Sequence, residues 1–298
     1  MHEAKILSAS LPVYSFEIVS VALEHIPRDT PATALTSTPR KMNILNSKQF
    51  HQPRLTSTSM IRSDHENYDH YSTAMINRLD GFFGKVDERL NVRIASWIFG
   101  QRVLEIGCGF GQLVEHLRKT GYSATGIDML EQCVLAGQRR FPQADLRVAS
   151  SEQLDFADGS VDTVILKDTI HHVYGEADIH QFLMDVKRVC RKRIIISDPN
   201  PTAILLLARK LIRHRDPVCS PEQAERAISK AGFEIVHRSF GEVLAFPLSG
   251  GFVGRPMVPN NVVGNMVLSL DSLVEKALEC LRLHHHACWR YLLVADLE

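Results

Sequence analysis

Val103-Leu104-Glu105-Ile106 runs directly into Gly107-Cys108-Gly109-Phe110-Gly111, and helical spacing resumes over Leu113–Thr120. An apolar run that ends in glycines and opens a helix lets the backbone come close to a ligand, and some of its positions call for positive φ. Gly126-Ile127-Asp128 closes the next apolar run. An acidic residue about 20 positions beyond a glycine loop is placed to accept hydrogen bonds from ribose hydroxyls. Asp128 also fits as the N-cap of a helix over Leu130–Arg140, and the two roles can coexist. A dinucleotide fingerprint, G-x-G-x-x-G, would put its third glycine at position 112. Here the third glycine is Gly111 and position 112 is Gln112, which favours a ligand other than NAD.

The elements that must hold these residues alternate. Apolar runs at Arg102–Ile106, Ser123–Ile127, Asp145–Ala149, Val161–Leu166, Arg193–Ser197, Phe233–Arg238 and Trp289–Ala295 read as strands. Amphipathic stretches at Leu113–Thr120, Leu130–Arg140, Ile179–Arg191 and Pro221–Ala231 read as helices between them. Ser220 supplies an N-cap and Gly232 a stop for the last of these. Such alternation argues for an α/β fold, a doubly wound, Rossmann-like, mostly parallel seven-stranded sheet covered on both faces. Residues 61–99 read as an N-terminal helical cap. Ile76, Leu79, Phe82, Phe83, Val86, Leu90 and Ile94 recur there at three- and four-residue steps, with Gly81 and Gly84 as interruptions. Residues 1–60, rich in Ser, Thr and Pro, read as a disordered or loosely packed leader. Residues 100–298 form the main domain, with an apolar insertion at about 241–285 before the last strand.

The chain has 298 residues, with 34 basic and 34 acidic side chains and a net charge of +0. A protein held mainly by nucleic-acid phosphates needs a basic surplus, so no nucleic-acid partner is expected. The six cysteines are scattered without a C-x-x-C pair, which fits reduced thiols and a cytoplasmic location. No apolar run approaches the roughly 18 residues needed to cross a bilayer. His284-His285-His286 points in three directions on a helix and the cysteines are scattered, so no metal is expected in this chain.

Glu105-Ile-Gly107-Cys-Gly109-Phe-Gly111 with Gly126-Ile-Asp128 resembles the class I S-adenosylmethionine-dependent methyltransferases, small-molecule branch. Glu152-Gln-Leu154-Asp-Phe156 through Asp162-Thr-Val164 looks like the third and fourth strand region of that superfamily. Thr169-Ile170-His171-His172-Val173 looks like the segment after its fourth strand, and Ala231-Gly232-Phe233-Glu234 like the end of its late helix. The likeness covers roughly residues 100–240 and is specific for the superfamily while nearly silent about substrate.

The resemblance implies roles. Gly107, Cys108, Gly109 and Gly111 would lie against the amino-acid part and ribose of S-adenosylmethionine, and Glu105 would meet its ammonium. Asp128 would hold the ribose hydroxyls and Met129 would pack on adenine. Ser151 and Glu152 would line the adenine edge, although relatives often carry an Asp near Ser150. Lys167 ends the fourth strand, where relatives touch the methionine moiety, and a long cation is not typical there. Cys108 inside the loop would make cofactor binding sensitive to alkylation.

The implied reaction moves a methyl group to a small, rather apolar metabolite, with oxygen acceptors favoured and carbon acceptors next. A hydroxyl acceptor calls for a base that titrates near neutrality, which points to His172 and His171, with Asp168 as the orienting carboxylate. His172 is favoured on motif position; alternatively one of the two histidines packs in the core. Asp198 and Asn200 follow the fifth strand and point to the substrate mouth, or simply build a turn. The basic clusters at residues 187–193 and 209–215 read mainly as solvated helix faces. Ala203–Leu207 beside the second cluster leaves peripheral membrane contact open. The insertion, with Arg255 as the one charge in Val243–Leu270, reads as a lid and pocket wall for a greasy acceptor. The chain is expected to act as a monomer or homodimer. Two other readings stay in view: a nicotinamide oxidoreductase, and a catalytically silent cofactor-binding partner or regulatory subunit.

Overall fold

The computed structural model describes residues 73–298 except 152–153, 177–178, 212–215 and 252–254. The leader at 1–60, the start of the cap, Glu152 and Arg213–Arg215 lie outside the described residues. Seven strands follow in chain order: β1 Arg102–Ile106, β2 Ser123–Asp128, β3 Asp145–Val148, β4 Val161–Lys167, β5 Cys190–Pro199, β6 Phe233–Gly241 and β7 Arg290–Leu297. They pair in the order β3-β2-β1-β4-β5-β7-β6, with β7 antiparallel to both neighbours and the other pairs parallel. The chain winds outward from β1 to β3, then returns to place β4 on the other side of β1. Ligands bind in α/β sheets beyond the carboxyl ends of the strands at such a switch point. The loops after β1 and β4 flank it, and they carry Gly107–Gly111 and Asp168–His172.

Side chains alternate across each strand, so neighbouring residues feed opposite layers. Leu104, Ile106, Val164, Leu166, Ile194, Ile196 and Leu293 share one buried cluster with Phe182, Leu183, Val186, Ala224 and Ile228. These last five come from α5 Ile179–Val189 and α7 Pro221–Lys230. Val103, Ile165, Ile195, Leu292 and Val294 share the other with Leu90, Ile94, Leu113 and Leu117, from α1 Phe82–Ala95 and α2 Gln112–Lys119. At roughly 1.5–3 kcal/mol for each large apolar side chain buried, these two layers carry most of the stability of the sheet. The helix α7 starts on the predicted cap. Ser220 Oγ accepts from the Gln223 amide, while Gln223 Oε1 accepts from the Ser220 amide.

A 3-10 helix, Thr73–Asp80, leads into α1, and Gly81 separates them as expected. Gly84 lies inside α1 instead of breaking it, because a Cβ there would press on the Leu79 carbonyl. Between β2 and β3 runs α3 Glu131–Arg140. The segment after β4 forms a helix the periodicity did not reveal, α4 Ile170–Glu176, and α6 Ala203–Leu211 follows β5. The insertion before β7 holds α8 Ala245–Leu248, α9 Val262–Cys280 and α10 His284–Ala287. The helix α9 starts at Val262, where Asn261 caps it by accepting from the Val263 amide. Among the described residues no helix is long and apolar enough to cross a membrane.

Candidate active site

The glycine loop is held to the end of β2 by its own backbone. The Gly107 and Cys108 amides donate to the Ile127 carbonyl at 2.8 and 3.0 Å, and the Gly111 amide to the Cys108 carbonyl at 2.8 Å. Gly107 has φ +76°, and a Cβ there would collide with Thr169 Oγ1 at 2.3 Å. That close approach joins the ends of β1 and β4, where Thr169 Oγ1 donates between the Ile106 and Lys167 carbonyls. Gly109 has φ +53°, and a Cβ there would meet nothing within 4 Å. The outer side of the loop is therefore open at Gly109.

Asp128 latches this loop. Its Oδ2 accepts from the Gly109 amide at 2.8 Å and its Oδ1 from the Leu130 amide at 2.8 Å. Burial raises the pKa of this carboxyl, against the pull of the two amides. The second bond serves the start of α3, so the capping reading holds in part. A carboxylate has about four lone-pair sites, which leaves room for further donors. Met129 is exposed and Ser151 is half-buried. The Cys108 thiol is buried, and desolvation pushes its pKa far above the usual range. Alkylation requires the thiolate, which this burial disfavours.

Glu105 sits at the end of β1 with 3% exposure. Its Oε2 is buried and has no hydrogen-bond partner among the described residues. Lys167 stands on the same side of the sheet. Its Nζ donates to Asp87 Oδ1 at 2.5 Å and Asn91 Oδ1 at 2.8 Å, both on α1. Desolvation works against the Lys167 charge, but Asp87 and Glu105 outweigh it and raise its pKa. Lys167 thus anchors the helical cap to the sheet. The i, i+4 spacing of Asp87 and Asn91 on one helix face was the signal for this anchor.

Beyond β4 the catalytic candidates divide differently from the expectation. Asp168 does not orient a histidine; both of its oxygens accept from Arg290, one at 2.9 Å. The orienting carboxylate is Asp198, both of whose oxygens lie against His171 Nδ1, at 2.8 and 2.9 Å. Asp198 is fully buried and so forms the base of a dyad rather than a rim contact. Burial alone would lower the His171 pKa; the charge and hydrogen bond of Asp198 reverse this and raise it. His172 stacks obliquely on His171, ring centroids 4.1 Å apart. Burial and then the neighbouring His171 lower its pKa to about 4. Asn200 is also committed to the fold, since its amide donates to the His285 and Cys288 carbonyls at 2.9 and 3.0 Å.

Three charged residues escaped the sequence reading. Arg290 opens β7 and donates from Nε to Glu242 Oε2 at 3.0 Å as well as to Asp168. Asp168 and Glu242 both adopt positive φ, +55° and +63°. An arginine opening an otherwise apolar strand was the available signal. Asp216 follows α6 and comes close to both histidines. The apolar insertion also divides. Phe246, Leu248, Val267 and Leu268 pack with Phe82 and Val86, while Val262, Met266, Leu270 and Leu273 are exposed. The helix α9 is tied down through polar groups: buried Asp271 accepts from the Val243 and Ala245 amides at 3.0 Å and pairs with Arg89.

In the first basic cluster two arginines are spent on structure. Arg188 donates to Asp185, Asp158 and two carbonyls, and Arg193 to Asp296.

Residues 104–196 match the Methyltransferase domain family. A probable S-adenosylmethionine-dependent methyltransferase of Mycolicibacterium smegmatis is 32% identical over 110 residues, 36% of this chain and 42% of the relative. A ubiquinone biosynthesis O-methyltransferase of Agrobacterium fabrum is 26% identical over 157 residues, 47% of this chain and 62% of the relative. The alignments thus span less than two thirds of these relatives' own length. Among solved structures, magnesium protoporphyrin IX methyltransferase from Synechocystis PCC 6803 with bound SAH shares the fold. Its TM-score is 0.52 at 15% identity, over 79% of this chain and 97% of that one. A SAM dependent methyltransferase from Archaeoglobus fulgidus gives 0.50 at 18% identity, over 70% and 93%. Residues 104–196 thus carry a methyltransferase domain, and the sheet around it shares its fold with S-adenosylmethionine-dependent methyltransferases.

Proposed function

We propose that the chain binds S-adenosylmethionine and transfers its methyl group to an oxygen of a small, largely apolar acceptor. The observation that carries this reading is the buried, unpartnered Glu105 Oε2, at the end of the strand that feeds the loop left open at Gly109. A buried carboxyl oxygen without a hydrogen-bond partner is costly, and an incoming ammonium would satisfy it. Asp128 retains lone pairs for ribose hydroxyls, so the residues fit the cofactor at two separate points. When bound, the cofactor supplies a methyl group already activated on a sulfonium. The chain then has to bind, orient and exclude water. His171, oriented through Nδ1 by Asp198, takes the acceptor hydroxyl proton at Nε2. His172, with a pKa near 4, is a weak base at neutral pH and serves to shape the site. The O-methyltransferase names among the relatives support oxygen as the acceptor atom.

Calorimetric titration with S-adenosylmethionine, S-adenosylhomocysteine and NAD tests the reading: the first two are expected to bind and NAD not. NAD binding without sulfonium binding would overturn it. His171→Ala is expected to retain S-adenosylhomocysteine binding while losing roughly 100-fold or more of label transfer from the cofactor into small molecules of a cell extract. Undiminished transfer in that variant removes the base assignment.

Glu105 gives a second signature. Burial, against the opposing charge of Lys167, raises its pKa to about 8. At pH 7 it is therefore mostly protonated in the free chain, and an ammonium beside it favours the ionised form. Binding at pH 7 is expected to release close to one proton. Binding enthalpies in phosphate and Tris should then differ by the difference in buffer ionisation heat, and Glu105→Gln should erase that difference. Identical wild-type enthalpies in the two buffers count against an ammonium contact at Glu105.

A further inference from the structure

We propose that His171, His172 and Asp216 form a binding site for a divalent transition-metal ion at the acceptor side of the active site. One potential ligand atom from each of the three lies within 4.8 Å of the others, and among the described residues this is the one such grouping. The three come from separate parts of the chain: the histidines from the first turn of α4, Asp216 from the segment between α6 and α7. Neighbouring histidines on a helix normally diverge. Here the rings are 4.1 Å apart, as close as those of His285 and His286 at 3.8 Å; what sets this pair apart is the Asp216 carboxylate that joins it from another part of the chain.

The surroundings are those of a built site. Asp198 engages His171 Nδ1, which leaves Nε2 as the nitrogen for an ion. A carboxylate behind a ligating imidazole fixes its tautomer and raises its basicity. Arg209 is buried and donates to the Asp216 and Pro217 carbonyls, which fixes the backbone carrying the third ligand. His171 is buried while His172 and Asp216 are half-buried, so one side of the group faces inward and the other is accessible. The carboxylates of Asp168, Asp198 and Asp216 outnumber Arg209 and Arg290 around it. Two imidazoles and one carboxylate suit zinc or iron(II) and not magnesium or calcium, which take oxygen ligands.

Three protein ligands leave coordination positions open, as in catalytic zinc sites. An oxygen of the acceptor would take one of them, so the ion would orient the acceptor and favour its deprotonated form. This use of the site rests on the methyl-transfer reading, whereas ion binding itself does not. With an ion in place, His171 Nε2 is a ligand and no longer the proton acceptor.

The test uses the full chain, stripped with a chelator and titrated with Zn2+ alone, with Mg2+ as comparator. One Zn2+ per chain is expected, with no Mg2+ binding at the same concentrations. His172→Ala and Asp216→Asn should each weaken Zn2+ at least 10-fold, and Asp198→Asn by roughly 10- to 100-fold. His285→Ala should leave it unchanged. Far-ultraviolet circular dichroism and the melting transition of the same preparations report that they are folded. Co2+ gives a readout on the unsubstituted chain: the imidazole signals of two histidines should broaden, whether or not the variants fold. No Zn2+ binding by the parent chain overturns the proposal, as does binding that survives His172→Ala and Asp216→Asn but is lost in His285→Ala. Zn2+ binding without S-adenosylhomocysteine binding supports the metal site and refutes the methyl-transfer reading. The reverse result refutes the metal site alone.

Discussion

Asp128→Ala is expected to abolish S-adenosylhomocysteine binding in the range where the parent chain binds it, a loss of more than about 100-fold. Each hydrogen bond to a charged group contributes about 1.5–3 kcal/mol, and a ribose offers two hydroxyls to this carboxylate. At 1.4 kcal/mol per tenfold, losing both already accounts for about 100-fold. The substitution also acts on the free protein. The Gly109 and Leu130 amides donate to Asp128 at 2.8 Å each, so its removal unlatches the glycine loop and unties the start of α3. The helix has no other cap to fall back on, because the Leu130 side chain cannot accept a bond. Calorimetry reads the first effect, and the melting temperature of the free variant reads the second. Normal cofactor binding by Asp128→Ala would remove the ribose assignment, whatever happened to stability.

Asp128 also shows what the sequence makes legible. The strand that ends in glycines and the acid that closes the next strand are local patterns, and local patterns fix backbone geometry. The seven strands and the position of the insertion were readable for the same reason, since apolar alternation reports burial directly. The antiparallel direction of β7 was not readable, because nothing in Arg290–Leu297 encodes which way its neighbours run. Nor were the partners of charged side chains. Asp168 is three residues from His171 and looked like its orienting group, yet the carboxylate that reaches His171 is Asp198, from the adjacent strand β5. Asp168 instead meets a residue 122 positions away. Such pairings depend on strand order, which sequence spacing does not carry. Asp216 escaped for the same reason, since only the return of the chain after α6 brings it to α4.

Arg290→Met is expected to be the most destabilising single change at the site, at about 3–5 kcal/mol. Methionine fills much of the arginine's volume, so the loss isolates the charge. Arg290 and Glu242 are both enclosed, with side chains 10% and 4% exposed, and desolvation raises the Glu242 pKa against the opposing charge of Arg290. Removing the guanidinium leaves Glu242 buried without its cation. The Asp168 side chain is 34% exposed and can turn to water, so it contributes less to the loss. Both carboxylates also sit on backbone in the left-handed region, a conformation costing of order 1–3 kcal/mol that the Arg290 bonds help to hold. For a domain of this size each kcal/mol shifts the midpoint by about 2–4 °C, so thermal unfolding should begin roughly 10 °C lower. The double variant Arg290→Met/Glu242→Gln discriminates the cause. With the buried charge removed from both sides, much of the stability should return, because replacing an ion pair costs far less than breaking one. If the double variant were as unstable as Arg290→Met, packing at the start of β7 would be the cause and the charge argument would fail. In that double variant Asp168 would still lack its arginine while His171 kept Asp198. Intact S-adenosylhomocysteine binding there would show that Arg290 holds the fold around the site and not the cofactor itself.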